Sequence, residues 1–200
     1  MKIKAIYADL GGVLIINKAR EVGEKYEKSD GLTPKMTKNA FRFIQTAKRS
    51  DEELATYLNN KNIKIDVWKR FLADFYASES RNDSLIELLE KAKKKGKIII
   101  FTTNNSSNVS FGIKKYGISH LADGIVNSSD LKIAKPDKKF WIAAFRQTKK
   151  LIPNIHPENV LVIDDSEKNC ASAKDFGFNS FVYKNRGPDL LTGLFFFLHH

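Results

Sequence analysis

Cysteine is nearly absent from this chain: 200 residues contain one, Cys170. A single thiol excludes an internal disulfide framework and any cysteine-based zinc site, and it suits a reducing cytoplasm. On its helix-patterned segment Cys170 reads as a small packing residue. Histidine is scarce as well, and His120 and His156 have no partner at metal-ligand spacing. His199 and His200 end the chain beside "LFFFL", an apolar run far shorter than the ~20 residues that cross a bilayer. The N-terminal apolar run is broken by Asp9 and has no small-residue cleavage site, so the sequence reads as soluble, with no membrane partner. Acid is outnumbered, 23 Asp and Glu against 34 Lys and Arg, for a formal charge of +11. The lysines are scattered except at Lys91 to Lys97 and lack a nucleic-acid motif, which makes solvated faces the reading and excludes a nucleic-acid partner. Internal repeats and low-complexity segments are also missing.

What is present is a 42% hydrophobic chain able to bury a substantial core, in one domain or one domain with an insertion. Short apolar runs recur at Ile3 to Ala8, Lys97 to Thr102, Gly124 to Val126, Asn159 to Ile163 and Ser180 to Tyr183. They predict buried parallel strands. Helix-period segments lie between them: Ser84 to Lys95 before Gly96, Ser107 to Tyr116 before Gly117, Asp137 to Lys150, and Glu167 to Phe176 before Gly177. Glycine just past a helix is the expected left-handed cap. The alternation predicts a doubly wound α/β sheet.

One region breaks the rhythm. From Asn17 to Asn82 there is no strand signal, only helical ones: Thr33-Pro34 as cap and first turn, the capping box Ser50 to Glu53, and Val67, Phe71, Leu72 and Phe75 at helical spacing. This predicts a helical insertion at 17–82 between core segments 1–16 and 83–200. Its aromatics Phe41, Phe43, Trp68, Phe71, Phe75 and Tyr76 are assigned to packing within the insertion, not to a site.

Ligands of an open α/β sheet bind beyond the carboxyl ends of its strands. The polar groups there are Asp9, then Thr103-Asn104-Asn105, then Lys135, then Asp164-Asp165. Asp9 and Asp165 could share a hard cation such as Mg²⁺. One carboxylate could then attack phosphorus, with Thr103 and nearby N–H groups holding phosphate oxygens and Lys135 neutralising charge. Each residue also has a plainer reading: Asp164-Asp165 and Thr103 as helix caps, Lys135 as an ordinary exposed lysine.

The ordered series "YADLGGVLI", "IIIFTTNNSS", "LKIAKPDKKFW" and "VLVIDDSEKN" resembles the four motifs of the haloacid dehalogenase-like hydrolase superfamily, from the first strand to about Tyr183. The resemblance implies a Rossmann-like core and a helical cap between the first and second motifs. It implies Asp9 as the nucleophile that forms an aspartyl-phosphate, Thr103 as the phosphate-binding hydroxyl with Asn104 beside it, and Lys135 as the third-motif lysine. Asp165 becomes the Mg²⁺ carboxylate, supported by Asp164 and Asn169. Leu10 lends an amide to phosphate and Gly11 its carbonyl to the metal.

The first motif departs from the phosphatase pattern Asp-x-Asp, whose second acid protonates the leaving oxygen and then activates water. This chain has Gly11 there. Some sugar-phosphatase members that resemble it carry Asp-x-Gly. The implied function is Mg²⁺-dependent hydrolysis of a small phosphorylated metabolite, a sugar phosphate or similar. The alternatives are a non-catalytic phosphate- or protein-binding relative and a metal-independent dehalogenase.

Overall fold

The computed structural model describes residues 2–105 and 109–184. Thus "LFFFL", His199, His200 and the expected helix start at Ser107 lie outside the described residues. Five strands form one parallel sheet: β1 (Ala5–Ala8), β4 (Ile98–Thr103), β5 (Gly124–Asn127), β6 (Val160–Asp164) and β7 (Asn179–Val182), in the order β5-β4-β1-β6-β7. These are the five strands expected from the apolar runs. β1 lies at the centre, with Ala8 in register with Phe101 on one side and Ile163 on the other.

Alternation along the strands divides the core into two layers. Ile6, Ile99, Phe101, Leu161 and Ile163 pack on one face with Leu85, Ile86 and Leu89 of α5 (Asp83–Lys94) and Ile113 of α6 (Val109–Lys115). Ala5, Tyr7, Ile100, Val160 and Val162 pack on the other with Phe140, Trp141 and Ala144 of α8 (Lys138–Leu151) and Ala173 of α9 (Glu167–Asp175). The sheet is therefore wound on both faces, a Rossmann-like α/β fold. Cys170 is buried on α9, its Sγ against the carbonyls of Asp164 and Phe181, as a packing residue. Gly96, Gly117 and Gly177 all have positive φ at helix ends, the caps that the sequence called for.

Between β1 and α5 stand four helices, α1 (Ala19–Asp30), α2 (Pro34–Gln45), α3 (Asp51–Asn59) and α4 (Ile65–Ala77). Thr33 caps α2 by accepting from the Met36 N–H, with Pro34 in the first turn. Ser50 and Glu53 close a reciprocal capping box on α3 at 2.8 and 3.1 Å. These helices bury a cluster of their own, around Tyr26, Leu58, Trp68 and Phe71. Phe41 and Phe75 pack against it with tilted rings, whereas Phe43 lies flat on Tyr57, 4.0 Å between ring centres, with the Arg49 guanidinium 4.3 Å over its ring. Tyr76 is 41% exposed, so it is not part of that interior.

The expectation of no strand from Asn17 to Asn82 needs correction at its margin. β2 (Ile15–Ile16) pairs antiparallel with β3 (Ser80–Arg81), a ribbon that ties the two chain crossings of the insertion together. Two residues per strand cannot set up a period-2 pattern, and Ser80-Arg81 is polar, so neither segment carries a strand signal. Asn82 locks the same neck. Its side-chain oxygen caps α5 through Leu85 N–H, and its Nδ2 donates to the Val13 carbonyl and the Tyr183 hydroxyl, both at 2.7 Å. Asn82→Ala is expected to lower unfolding free energy by about 1–3 kcal/mol, since it removes a cap and strands a buried carbonyl. Urea titration followed by circular dichroism measures it; an unchanged midpoint would mean that the neck is held by the ribbon alone.

Candidate active site

Three of the sheet's carboxyl ends converge on one ammonium group. Asp9 follows β1 directly and prolongs the ladder, its N–H donating to the Ile163 carbonyl at 2.9 Å. Asp164 is the last residue of β6, and Thr102 and Thr103 end β4. Lys135 arrives from the loop after the short helix α7 (Ser128–Leu131) and is fully buried at its side chain. Its Nζ lies 2.7 Å from Asp164 Oδ2, 2.9 Å from the Thr102 carbonyl and 3.2 Å from Asp9 Oδ1. An ammonium has three donors, and all three have acceptors here.

The surrounding contacts fix each member of this set. Asp9 Oδ1 also accepts from the Leu10 N–H at 2.8 Å, which orients the carboxylate. Asn104 grips the backbone of Lys135 at both ends: its Oδ1 accepts from the Lys135 N–H at 2.8 Å, and its Nδ2 donates to the Lys135 carbonyl at 3.0 Å. The side chain expected beside the phosphate is therefore engaged in holding the lysine loop. Asp164 Oδ1 accepts from the Ser166 N–H and from Asn169 Nδ2, both at 2.9 Å, so Asn169, expected as a support of Asp165, contacts Asp164 instead. Ser166, not either aspartate, caps α9.

Asp165 points differently. It is exposed, yet oxygens of Asp9, Asp164 and Asp165 lie within 4.8 Å of one another. Three carboxylates offer only oxygen, the donor that a hard divalent cation takes. Asp164 is committed to Lys135, Ser166 and Asn169, which leaves Asp9 and Asp165 as the open pair. One or two carboxylates is the usual protein share of a Mg²⁺ shell, so the donor set fits that ion.

The electrostatics point the same way. Burial pushes the Asp9 carboxyl up to about 7; Lys135 draws it down, while Asp164 and Asp165 raise it further. Burial also raises Asp165, with Asp164 adding to the effect. For Lys135 burial works to lower its affinity for a proton, but Asp9 and Asp164 outweigh it and the net direction is upward. Lys135, with Lys184 drawing Asp165 down as well, does not offset the upward shift of Asp9 and Asp165, and a cation between them would supply the balance.

The two glycines after Asp9 differ in kind. Gly12 has φ +79°, and a Cβ there would sit 2.6 Å from Asp165 Oδ2, so the fold requires glycine. At Gly11 a Cβ would meet no heavy atom of the described residues within 4 Å, and the backbone is outside the left-handed region. A parallel bridge here uses the Leu10 carbonyl and the Gly12 N–H, which leaves the Gly11 peptide groups out of the pairing.

Sequence reasoning passed over the end of β5. Asn127, Ser128 and Ser129 are all buried, a polar run directly after an apolar strand and so the same signal that marked the other strand ends. Asn127 Oδ1 accepts from the Asn105 N–H at 3.1 Å, and Ser128 Oγ donates to the Gln45 carbonyl at the end of α2 at 2.5 Å. The Ser128 contact seats the helical insertion against the start of α7.

A parallel sheet with acids and a buried lysine at the carboxyl ends of β1, β4 and β6 defines a hydrolase-type site at a switch point. The family model of haloacid dehalogenase-like hydrolases matches residues 3–177, and the chain belongs to that family. An HAD-like family hydrolase of Porphyromonas gingivalis is 19% identical with a TM-score of 0.77, over 100% of both chains. An HAD family enzyme of Bacteroides thetaiotaomicron, solved as a mutant in complex with magnesium and inorganic phosphate, is 20% identical with a TM-score of 0.72, over 93% of this chain and 96% of that one. Among curated proteins, (S)-2-haloacid dehalogenase 4A of Burkholderia cepacia is 26% identical over 58% of this chain and 48% of its own length. Among the described residues no helix is long and apolar enough to cross a membrane.

The glycine contrast is measurable. Gly12→Ala should cost at least ~1–2 kcal/mol for the left-handed backbone and should displace Asp165. Gly11→Ala should leave stability unchanged or raise it by about 0.4–1 kcal/mol. Denaturant midpoints of the two variants test this, and equal losses would contradict the open space at Gly11.

Proposed function

We propose that this chain is a Mg²⁺-dependent phosphatase-like hydrolase of small phosphorylated metabolites, a sugar phosphate or similar, working through an aspartyl-phosphate on Asp9. The observation that carries the reading is the shared placement of Asp9, Lys135 and Asp165 at one sheet edge, with Lys135 Nζ 3.2 Å from Asp9. The magnesium and phosphate held by the related Bacteroides enzyme support it. The helical segment 17–82 acts as a cap over the sheet edge, on the core segments 1–16 and 83–200. A cytoplasmic location fits the single buried thiol.

In this reading Asp9 is the nucleophile, held by Leu10 N–H and Lys135. Phosphate oxygens are received by the Thr103 hydroxyl and by backbone amides of Leu10 and Asn104, since the Asn104 side chain is engaged with Lys135. Lys135 stabilises the charge that builds as Asp9 joins phosphorus. Asp164 and Asn169 position Lys135 and the turn that presents Asp165. Asp9, Asp165 and the Gly11 carbonyl would hold Mg²⁺, which when bound supplies charge neutralisation between the carboxylates and the phosphate dianion.

The similarity to a haloacid dehalogenase favours one second reading, in which Asp9 attacks carbon without a metal. The crowd of acids at Asp9, Asp164 and Asp165 weighs for the cation instead. Both readings meet in one assay. With p-nitrophenyl phosphate and Mg²⁺ the protein is expected to release phosphate, EDTA to stop it, and Asp9→Asn to bring it to background with the circular dichroism spectrum unchanged. Turnover by Asp9→Asn equal to wild type would remove Asp9 as nucleophile, and dehalogenation that survives EDTA would favour attack on carbon.

A further inference from the structure

The phosphatase reading leaves a proton unaccounted for, and the inference drawn here rests on that reading. Two proton transfers accompany aspartyl-phosphate chemistry: one to the leaving oxygen, one from the water that later attacks phosphorus. The residue two positions after the nucleophile is Gly11, and a Cβ there would meet none of the described residues within 4 Å. Glycine is not forced there by the backbone, in contrast to Gly12, so the missing acid is a chemical property and not a steric one. Among the described residues, the charged groups next to Asp9 already have roles. Lys135 has three acceptors, Asp164 has three donors, and Asp165 is the open carboxylate facing the proposed cation.

We propose that the chain acts on phosphates whose leaving group is a weak base, the aryl, anomeric and acyl phosphates, and that breakdown of phospho-Asp9 is its slow step. In the first half-reaction an Asp9 oxygen bonds to phosphorus and the bond to the leaving oxygen breaks. That oxygen keeps the electron pair and takes its proton from bulk water, which is fast only when it is a stable anion. In the second, water bonds to phosphorus and the bond to Asp9 breaks, returning the carboxylate; the water's proton goes to solvent, since position 11 offers no side chain to take it. A positioned acid or base contributes ~10²–10⁴-fold. Its loss is offset in the first step by a good leaving group and in the second by nothing, so phospho-Asp9 accumulates.

The test is a series with Mg²⁺ running from p-nitrophenyl phosphate through phenyl phosphate to a primary alkyl phosphate, with rapid mixing to resolve the first turnover. Wild type should show kcat/KM falling steeply as the leaving group becomes more basic, kcat nearly constant among the best leaving groups, and a p-nitrophenol burst stoichiometric with enzyme. Gly11→Asp should lose the burst and compress the p-nitrophenyl to alkyl ratio of kcat/KM by ~10²-fold or more. Gly11→Asn, matched in size but unable to trade a proton, should keep the steep dependence whatever its absolute rate. If Gly11→Asp fails to fold, the wild-type slope and burst decide alone. An active wild type with a shallow slope and no burst overturns this inference and leaves the phosphatase reading standing. Phosphate release from none of the compounds overturns both.

Discussion

The buried Lys135 ammonium is the contact on which the site depends. It joins Asp9 after β1, Asp164 at the end of β6 and the carbonyl of Thr102 on β4, and so fixes three strand ends in one place. A buried ion pair is a poor source of net stability, but removing one member strands the others at a cost of about 3–5 kcal/mol. The surroundings reflect that cost. Asn104 holds the lysine backbone, while Ser166 and Asn169 hold the far side of Asp164. The charge balance is still incomplete, because Asp9 and Asp165 stay shifted upward beside Lys135, and a cation would complete it.

Around that fixed centre the chain separates the required from the optional. Gly12 must be glycine to turn away from β1 without striking Asp165, whereas Gly11 stands in open space. A Cβ at Gly11 would meet none of the described residues, so glycine is not required there as it is at Gly12. The insertion meets the core through Asn82 at the neck, through Ser128 to the end of α2, and through Glu79 to the Tyr116 hydroxyl.

Much of this was legible in the sequence, for a common reason. Asp9, Thr103, Lys135 and Asp165 are polar residues placed directly after, or shortly beyond, apolar runs, and an α/β sheet brings such positions together whatever the residues between them. The capping box at Ser50 and the left-handed glycines are local signals and survive folding unchanged. What was hidden depends on contacts distant in the chain. The ribbon of Ile15–Ile16 with Ser80–Arg81 is too short to have a period. The Asn104 side chain, expected beside the phosphate, has as its partner a backbone 31 residues away. The burial of Lys135 is equally non-local, since it requires two carboxylates from separate strands. The polar run Asn127 to Ser129 carries the same signal as Thr103 to Asn105, and its contact with the end of α2 is non-local.

The central claim is that Asp9 is a phosphorylation-competent nucleophile beside a cation held with Asp165. A crystal structure of the wild-type chain grown with Mg²⁺ and beryllium fluoride tests it most directly. The account predicts a beryllofluoride group joined to an Asp9 carboxylate oxygen, with Mg²⁺ between Asp9 and Asp165 and Lys135 Nζ still against Asp9. A metal bound away from Asp9, or a beryllofluoride adduct on any other residue, would contradict it.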